Sequence, residues 1–410
     1  MDKRLLIIDG NYFAQRVLGQ INMGDSVNNL ETEQEQNSFT AALNNSLINL
    51  YKTFNNENSN LIDNIIFVSD SGSWRKDVEP IKPYWLDDDR VIGYKEQRKA
   101  KKEESPINYD NFYKLYDEFT ESIKNVVTVC RIDKLEGDDN IMFLSHKLKE
   151  LPNVFSIVFC TDGDLEQVVR DNVVLMRNIR SKEAPNGEFV INLNMYTKLF
   201  EQSASMESLL GSSLDNKYYK DLFSVMIGSI DGQNKVKREL NKGISIATPF
   251  KTALIKSVAG DKKDNLFSLI SWKSSTGTRQ YNITEKIIDK ALAKHNYSLT
   301  ENNCQKILTS KDAIYNLMLS LRETTKQPNA PIDEIIKHLK HNLKLNVLSP
   351  NNIPEIYRNE FDKFWEDNKN NILGGTVNED KLFSLNGKFS NNQGVKSILD
   401  ESIPDIINLD

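Results

Sequence analysis

Apolar residues in the first half of the chain come in short blocks separated by longer stretches of helical spacing. The runs "RLLIID" (4–9) and "NIIFVSD" (64–70) are compact, apolar, and end in aspartate. Between them, "NSFTAALNNSLINLYKTF" (37–54) repeats apolar positions three and four apart and predicts a helix. Residues 108–124 and 138–150 carry the same spacing. "VVTVCRI" (126–132), "FSIVFC" (155–160) and "VVLM" (173–176) read as strands. Strand–helix alternation of this kind predicts an α/β fold with a central, mainly parallel sheet flanked by helices. Further on the pattern is helical across 244–300, with a break at "KSSTGT" (273–278), and again from about 325. Residues 200–217 read as an insertion, 366–397 are polar, and 399–410 form an acidic tail carrying isoleucines. This divides the chain into 1–200, a helical region at 201–300, and a C-terminal helical region with the tail at 301–410.

The N-terminal apolar stretch is too short for a signal-peptide core, and no run approaches the ~20 apolar residues of a membrane span. At 410 residues, 39% hydrophobic and 27% charged, the composition is that of a soluble globular protein. A net charge of −6 argues against a protein that coats nucleic acid indiscriminately. The local balance differs: "RVIGYKEQRKAKK" (90–102) holds six basic residues against one acidic. Cys130, Cys160 and Cys304 are too few and too scattered for a disulfide framework or a zinc site, and two of them end apolar runs. They read as buried thiols in a reducing, cytoplasmic compartment. Four histidines show no ligand or triad spacing, and His338 with His341 reads as a solvated helix face.

The acids are the informative feature. Asp9 and Asp70 end predicted strands, Glu136, Asp138 and Asp139 follow a third, and Asp162 and Asp164 follow a fourth. Singly, such an aspartate is a helix cap or turn residue. Together they put carboxylates on the edge of a parallel sheet where ligands bind. Carboxylates so crowded raise one another's pKa unless cations intervene. Two hard divalent ions about 4 Å apart, able to clamp a phosphodiester, would remove the repulsion. Downstream, "GDKKDN" adds Asp261 and Asp264 three residues apart. Lys95, Arg98, Lys99, Lys101 and Lys102 sit at near-helical spacing, as a solvated face or as a phosphate-binding surface. Tyr84, Trp85 and Tyr94 are candidates to stack on an unpaired base or to pack in the core.

Six segments in order resemble the motifs of the flap endonuclease/5′-nuclease family. They are "LIIDGN", "VSDSGSWRKD", "YKEQRK", "DKLEGDDNI", "TDGDLEQVV" and "GDKKDN", and they lean toward the ribonucleases H of T-even bacteriophages. "NLKLNVLSPNNIPEIYRNEFDKFW" (342–365) resembles the corresponding C-terminal piece. The resemblance implies a 5′→3′ exonuclease and flap endonuclease that removes RNA primers during phage replication, in the cytoplasm of the host. It implies Mg²⁺, two ions with Mn²⁺ as a substitute. Asp9, Asp70, Glu136, Asp138 and Asp162 would hold the first ion, and Asp164, Asp261 and Asp264 the second, with Asp139 as a reserve ligand. By the same resemblance Lys95 and Arg98 act on the scissile phosphate from a helical arch at about 85–105. Arg75, Lys76, Tyr94, Lys99, Lys101, Lys102, Lys262 and Lys263 contact nucleic acid. A helix–hairpin–helix-like element at about 255–295, with K⁺, grips duplex DNA. A monomer acting on DNA and RNA–DNA duplexes with 5′ ends or flaps is implied, and the acidic tail is a candidate dock for a single-strand-binding protein or sliding clamp. Gly137 replaces the family's alanine, which is expected to be harmless. The connection 78–92, the stretch 203–250 and the hairpin region are longer than the family pattern. Two other readings share the acidic edge: a PIN-type single-strand ribonuclease and a non-catalytic binder of DNA structures.

Overall fold

Seven strands form the central sheet of the computed structural model, in the order β3-β2-β1-β4-β5-β6-β7. The structure describes residues 3–22, 28–57, 59–86, 93–177, 187–197, 218, 221–222, 244–274, 277–280, 282–327 and 329–386. The acidic tail, residues 198–217 and 223–243, and residues 87–92 of the connection 78–92 lie outside them. The strands are β1 (Lys3–Asp9), β2 (Asn64–Val68), β3 (Thr128–Cys130), β4 (Val154–Phe159), β5 (Val173–Arg177), β6 (Glu188–Ile191) and β7 (Ile244–Ile246). All neighbours run parallel except β5 and β6. The chain order reverses direction at β1 and β4, the topological switch point where open α/β sheets hold ligands.

Parallel strands are covered on both faces, so their apolar runs are nearly continuous. In β1, Leu6 and Ile8 face one layer, built on α1 (Gly10–Ile21), α2 (Glu33–Phe54) and α4 (Tyr109–Ile123). Leu5 and Ile7 face the other, built on α5 (Gly137–Leu148) and α11 (Glu355–Gly374). This is the period-two alternation of a pleated strand. The short α3 (Gln97–Glu103) carries the basic run.

A third core gathers α6 (Pro249–Ala259), α7 (Glu285–Ala293), α8 (Glu301–Thr309), α9 (Lys311–Thr324) and α10 (Ile332–Asn346). The 244–300 region is therefore less helical than its spacing predicts. Ile244–Ile246 completes the main sheet, and Ser271–Ser274 (β8) pairs with Gly277–Gln280 (β9) as an antiparallel hairpin between α6 and α7. Residues 275, 276 and 281 of this hairpin, in the element where K⁺ is expected, lie outside the described residues. Beyond α10 the chain returns to the sheet: Phe361, Trp365 and Ile372 of α11 join its second core, and Leu382 of α12 (Glu379–Ser384) joins its first. Among the described residues no helix is long and apolar enough to cross a membrane.

Candidate active site

Asp9 is the last residue of β1 and the N-cap of α1, accepting from the Tyr12 N–H at 3.0 Å. Its other oxygen accepts from the Cys160 thiol, at 3.0 Å, just past the end of β4. Asp70 stands two residues past β2. It accepts from the Asn11 amide at 3.0 Å and from the Gly137 N–H. Backbone bonds tie the loops after β2 and β3 together: Ser69 N–H to Cys130, Ser71 N–H to Leu135 and Trp74 N–H to Lys134, at 2.8–3.0 Å. The first two turns after these strands therefore act as one scaffold, which brings Asp70 beside Glu136 and Asp138 at the start of α5. Past β4, Asp162 caps a 3₁₀ turn through Asp164 N–H, at 2.9 Å.

The fifth segment comes from the helical layer. Gly260 ends α6 with φ of 79°, a conformation glycine tolerates, and a Cβ there would lie 2.4 Å from the Leu266 carbonyl. The loop closes on itself through paired Asp261–Leu266 backbone bonds of 2.8 and 2.9 Å. Asn342 of α10 pins it from behind, donating to Ser257 and Phe267 carbonyls at 2.9 Å. Asp261 and Asp264 then face the sheet edge.

One cleft of about 160 Å³ is lined by Asp9, Asp70, Glu136, Asp138, Asp162, Asp164, Asp261 and Asp264, with Asn11, Lys95, Arg98, Lys256 and Lys263. These eight acids come from parts of the chain up to about 250 residues apart. Their environments divide the cleft in two. On one side the acids have cation partners. Lys95 meets Glu136 at 2.6 Å, Arg98 meets Asp264, and Lys256 meets Asp164 at 2.5 Å and Asp261 at 3.1 Å. Burial works against Glu136 and Asp261, yet Lys95 with Arg75 holds the first, and Lys256 the second, below the ordinary carboxylate value. On the other side no lysine or arginine among the described residues pairs with Asp9, Asp70, Asp138 or Asp162. Burial, then Asp9 and Glu136, pushes Asp70 up to about 7. Burial, then Asp162 and Asp9, raises Asp138 well above its usual range. Asp9 is raised too, by burial and Asp162 against the hydrogen bonds from Cys160 and Tyr12.

Among the described residues no three of these groups stand close enough to form a finished coordination shell. The reason is visible in the contacts, since four of the acids are turned toward ammonium, guanidinium or tyrosine hydroxyl groups. The donor set still fits a hard divalent ion. It is all oxygen, it is crowded, and half of it has no countercharge of its own.

The basic segment is latched over this cleft. Lys95 has φ of 58°, a left-handed backbone that costs a lysine on the order of 1 kcal/mol and concentrates at functional positions. Its N–H donates to the Asp264 carbonyl at 3.2 Å. Gln97 donates to the Lys262 and Lys263 carbonyls, Arg98 to that of Lys263, and Asn265 to that of Gly93, at 2.9–3.1 Å. The Tyr94 hydroxyl bonds Asp264 at 3.1 Å and Glu136 at 3.3 Å. Tyr94 is thus turned inward, under the Lys95 ammonium, rather than presented for stacking.

Two expected site residues belong to the core instead. Asp139 is fully buried and faces away from the cleft. It accepts from Trp74 Nε1 at 3.0 Å and from both terminal nitrogens of Arg75 at 2.7 Å. Arg75 also donates to the Leu345 carbonyl and stacks over Trp74, so it has no surface to offer a phosphate. Trp85 packs edge-on against Phe267, and Tyr84 against the helical core, which settles their reading as packing residues. Lys76, Lys99, Lys102, Lys262 and Lys263 are exposed, and the side chain of Lys101 lies outside the described residues. Lys102 reaches the Tyr113 hydroxyl at 2.5 Å. His338 is buried, not solvated, and with His341 lines a small cavity below Tyr94. Nor is Gly137 a neutral exchange for alanine: a Cβ there would lie 2.8 Å from Asp70 Oδ1. Asn11, Gln97, Asn265 and Lys256 escape a reading of the sequence, because each is placed by a partner remote in the chain. Asn11, Gln97 and Asn265 do fall inside "LIIDGN", "YKEQRK" and "GDKKDN", which offered a local hint, whereas Lys256 lies in none of the quoted segments.

No family model and no curated protein sequence matches the chain. Among solved structures the chain is similar to the T5 D15 protein co-crystallised with metal ions. Identity is 14%, the match covers 89% of this chain and 98% of the other, and the TM-score is 0.47. It is similar to the T5 5′-exonuclease with bound zinc ions, at 16% identity, 89% and 98% coverage and a TM-score of 0.44. A complex of a bacteriophage T5 flap endonuclease with DNA and metal ions matches at 15% identity, 91% and 100% coverage and a TM-score of 0.46.

Proposed function

We propose that this chain is a divalent-metal-dependent 5′-nuclease, hydrolysing phosphodiesters at the 5′ ends of flapped, nicked or RNA–DNA duplexes. Its setting would be primer removal during phage replication, in the host cytoplasm. The observation that carries the reading is the convergence of eight carboxylates from five chain segments on one cleft that Lys95 and Arg98 also line.

Asp9, Asp70, Asp138 and Asp162, with Glu136, would hold one Mg²⁺ or Mn²⁺, and Asp164, Asp261 and Asp264 would face a second. Bound there, such ions supply charge neutralisation at the phosphate and a water of lowered pKa. The chain's own cations complete the site. Arg98 presents a planar fork suited to two phosphate oxygens, and Lys95 puts an ammonium where charge develops on the phosphoryl group. Both stand at the cleft already, so a phosphate that draws them from Glu136 and Asp264 needs no large motion. Lys263 lines the cleft, and Lys99, Lys102 and Lys262 are exposed on the same two chain segments that carry Arg98 and Asp261. Contacts of that kind bind backbone without reading bases, so recognition is by shape and 5′ end.

A 5′-labelled flap substrate incubated with and without Mg²⁺ tests this directly. Short 5′ products are expected only with the metal. Asp162→Asn should abolish them while duplex binding persists. Cleavage that continues in chelator, or at an unchanged rate in Asp162→Asn, overturns the proposal.

A further inference from the structure

Lys256 enters neither the sequence motifs nor the mechanism above, yet it pairs with two acids of the cleft. It sits one turn before the C-terminus of α6, and its side chain is 28% exposed. Its ammonium lies 2.5 and 2.6 Å from the two oxygens of Asp164 and 3.1 Å from Asp261. The placement is built into the fold. The next carbonyl, that of Ser257, is held by the buried Asn342 amide, which also fixes the loop that carries Asp261. Asp164 comes from the turn after β4 and Asp261 from the helical layer, and among the described residues Lys256 is the cation that pairs with both.

A divalent ion on Asp164 and Asp261 needs the same oxygens. Metal–oxygen distances of about 2.0–2.2 Å leave no room for an ammonium at 2.5 Å from those atoms. Among the described residues nothing comparable occupies the other half of the cleft, where no lysine or arginine pairs with Asp9, Asp70, Asp138 or Asp162.

We propose that Lys256 is a resident substitute for the second divalent cation: it joins Asp164 to Asp261 in the metal-free protein and must be displaced before that pair can take an ion. The two halves of the cleft then differ in affinity by design, the sheet-edge half filling first and the seam half only at higher metal concentration. The proposal presupposes that the cleft binds divalent ions, as argued above, but not that it cleaves any substrate.

Mn²⁺ titration of the full-length protein, with free Mn²⁺ read by electron paramagnetic resonance, separates the possibilities. Wild type should bind one ion tightly and a second at least about tenfold more weakly. Lys256→Met keeps the length of the stem and removes the charge, and should tighten the second site by about tenfold or more, given the strength of charge pairs at this range. Lys256→Arg should keep the weak second site. If Lys256→Met does not fold, Lys256→Gln is read the same way. A second site left unchanged or weakened by the neutral variants overturns the proposal while leaving a metal-dependent nuclease intact, as do two equal sites in wild type. No Mn²⁺ binding at all overturns both.

Discussion

Asp138 and Asp139 are adjacent on the first turn of α5, and their surroundings are opposite. Asp139 is sealed among Arg75, Trp74 and the backbone of its own cap, with every strong acceptor position filled by a donor from the same domain. Asp138, one residue earlier, turns into a cleft with Asp9, Asp70 and Asp162 and has no paired cation among the described residues. The first arrangement is complete without any ligand. The second is costly without one, because buried like charges raise one another's pKa. A buried acid therefore marks a functional site only when its charge is left unanswered by the fold. Asp139 is the more deeply buried of the two, Asp138 being only half-buried, so burial alone would point to the wrong one.

The strongest way to break the contrast is to strip the answered acid of its partner. Arg75→Met leaves Asp139 charged, buried and unpaired, which should cost about 3–5 kcal/mol of stability, read by urea denaturation. Added Mg²⁺ should restore none of the specific loss at Asp139, since that carboxylate does not reach the cleft. Adding Asp139→Asn to the variant should recover part of the stability. A cost under about 1 kcal/mol would mean that water reaches Asp139 and that its pairing is incidental.

The unanswered acids should respond in the opposite sense. Asp70, with its pKa pushed up to about 7 in the folded state, binds a proton more tightly there than when unfolded. Between its unfolded pKa near 4 and about 7, the metal-free protein must then lose stability as pH rises, because the native state gives up a proton it prefers to keep. Asp70→Asn should remove much of that slope and make the metal-free protein more stable than wild type at pH 8, by about 2 kcal/mol. Mn²⁺ should flatten the wild-type slope and leave that of the variant little changed. Equal melting curves for the two proteins in chelator from pH 5 to 8 would show that Asp70 carries no such strain.

How far the sequence reveals this contrast follows from where each partner lies. The acids at the ends of β1, β2 and β4 are legible because an apolar run and its terminal aspartate are local in the chain. The loop with Asp261 and Asp264 was recognisable only as a motif, since what aims it at the sheet is Asn342, some 80 residues away. Asp139 could not be told from Asp138, because adjacent positions on a helix point about 100° apart and only the packed partners say which one faces the cleft. Arg75 reads as one of a basic pair with Lys76 for the same reason, yet one is buried and the other exposed. The missed strands β6 and β7 are four and three residues long, too short for an alternation to register. Each is defined by pairing across the sheet rather than by its own pattern.

A smaller change tests whether the backbone itself tunes the unanswered side. The Gly137 N–H donates to Asp70 Oδ1, and the space beside that oxygen is open only because residue 137 has no Cβ. Gly137→Ala gains up to about 1 kcal/mol of helix propensity in α5. Against that, it presses on the Asp70 carboxylate, whose side chain is too short to swing clear without leaving either Asn11 or the helix N-terminus. Thermal stability should therefore change little. Mn²⁺ affinity at the sheet-edge half should fall by about fivefold, the equivalent of roughly 1 kcal/mol, while the second site stays as it was. An unchanged first-site affinity would show that Asp70 finds an equivalent position beside the new methyl group. The precision of the sheet edge would then be set by the loops that join β2 to β3, and not by the glycine between the acids.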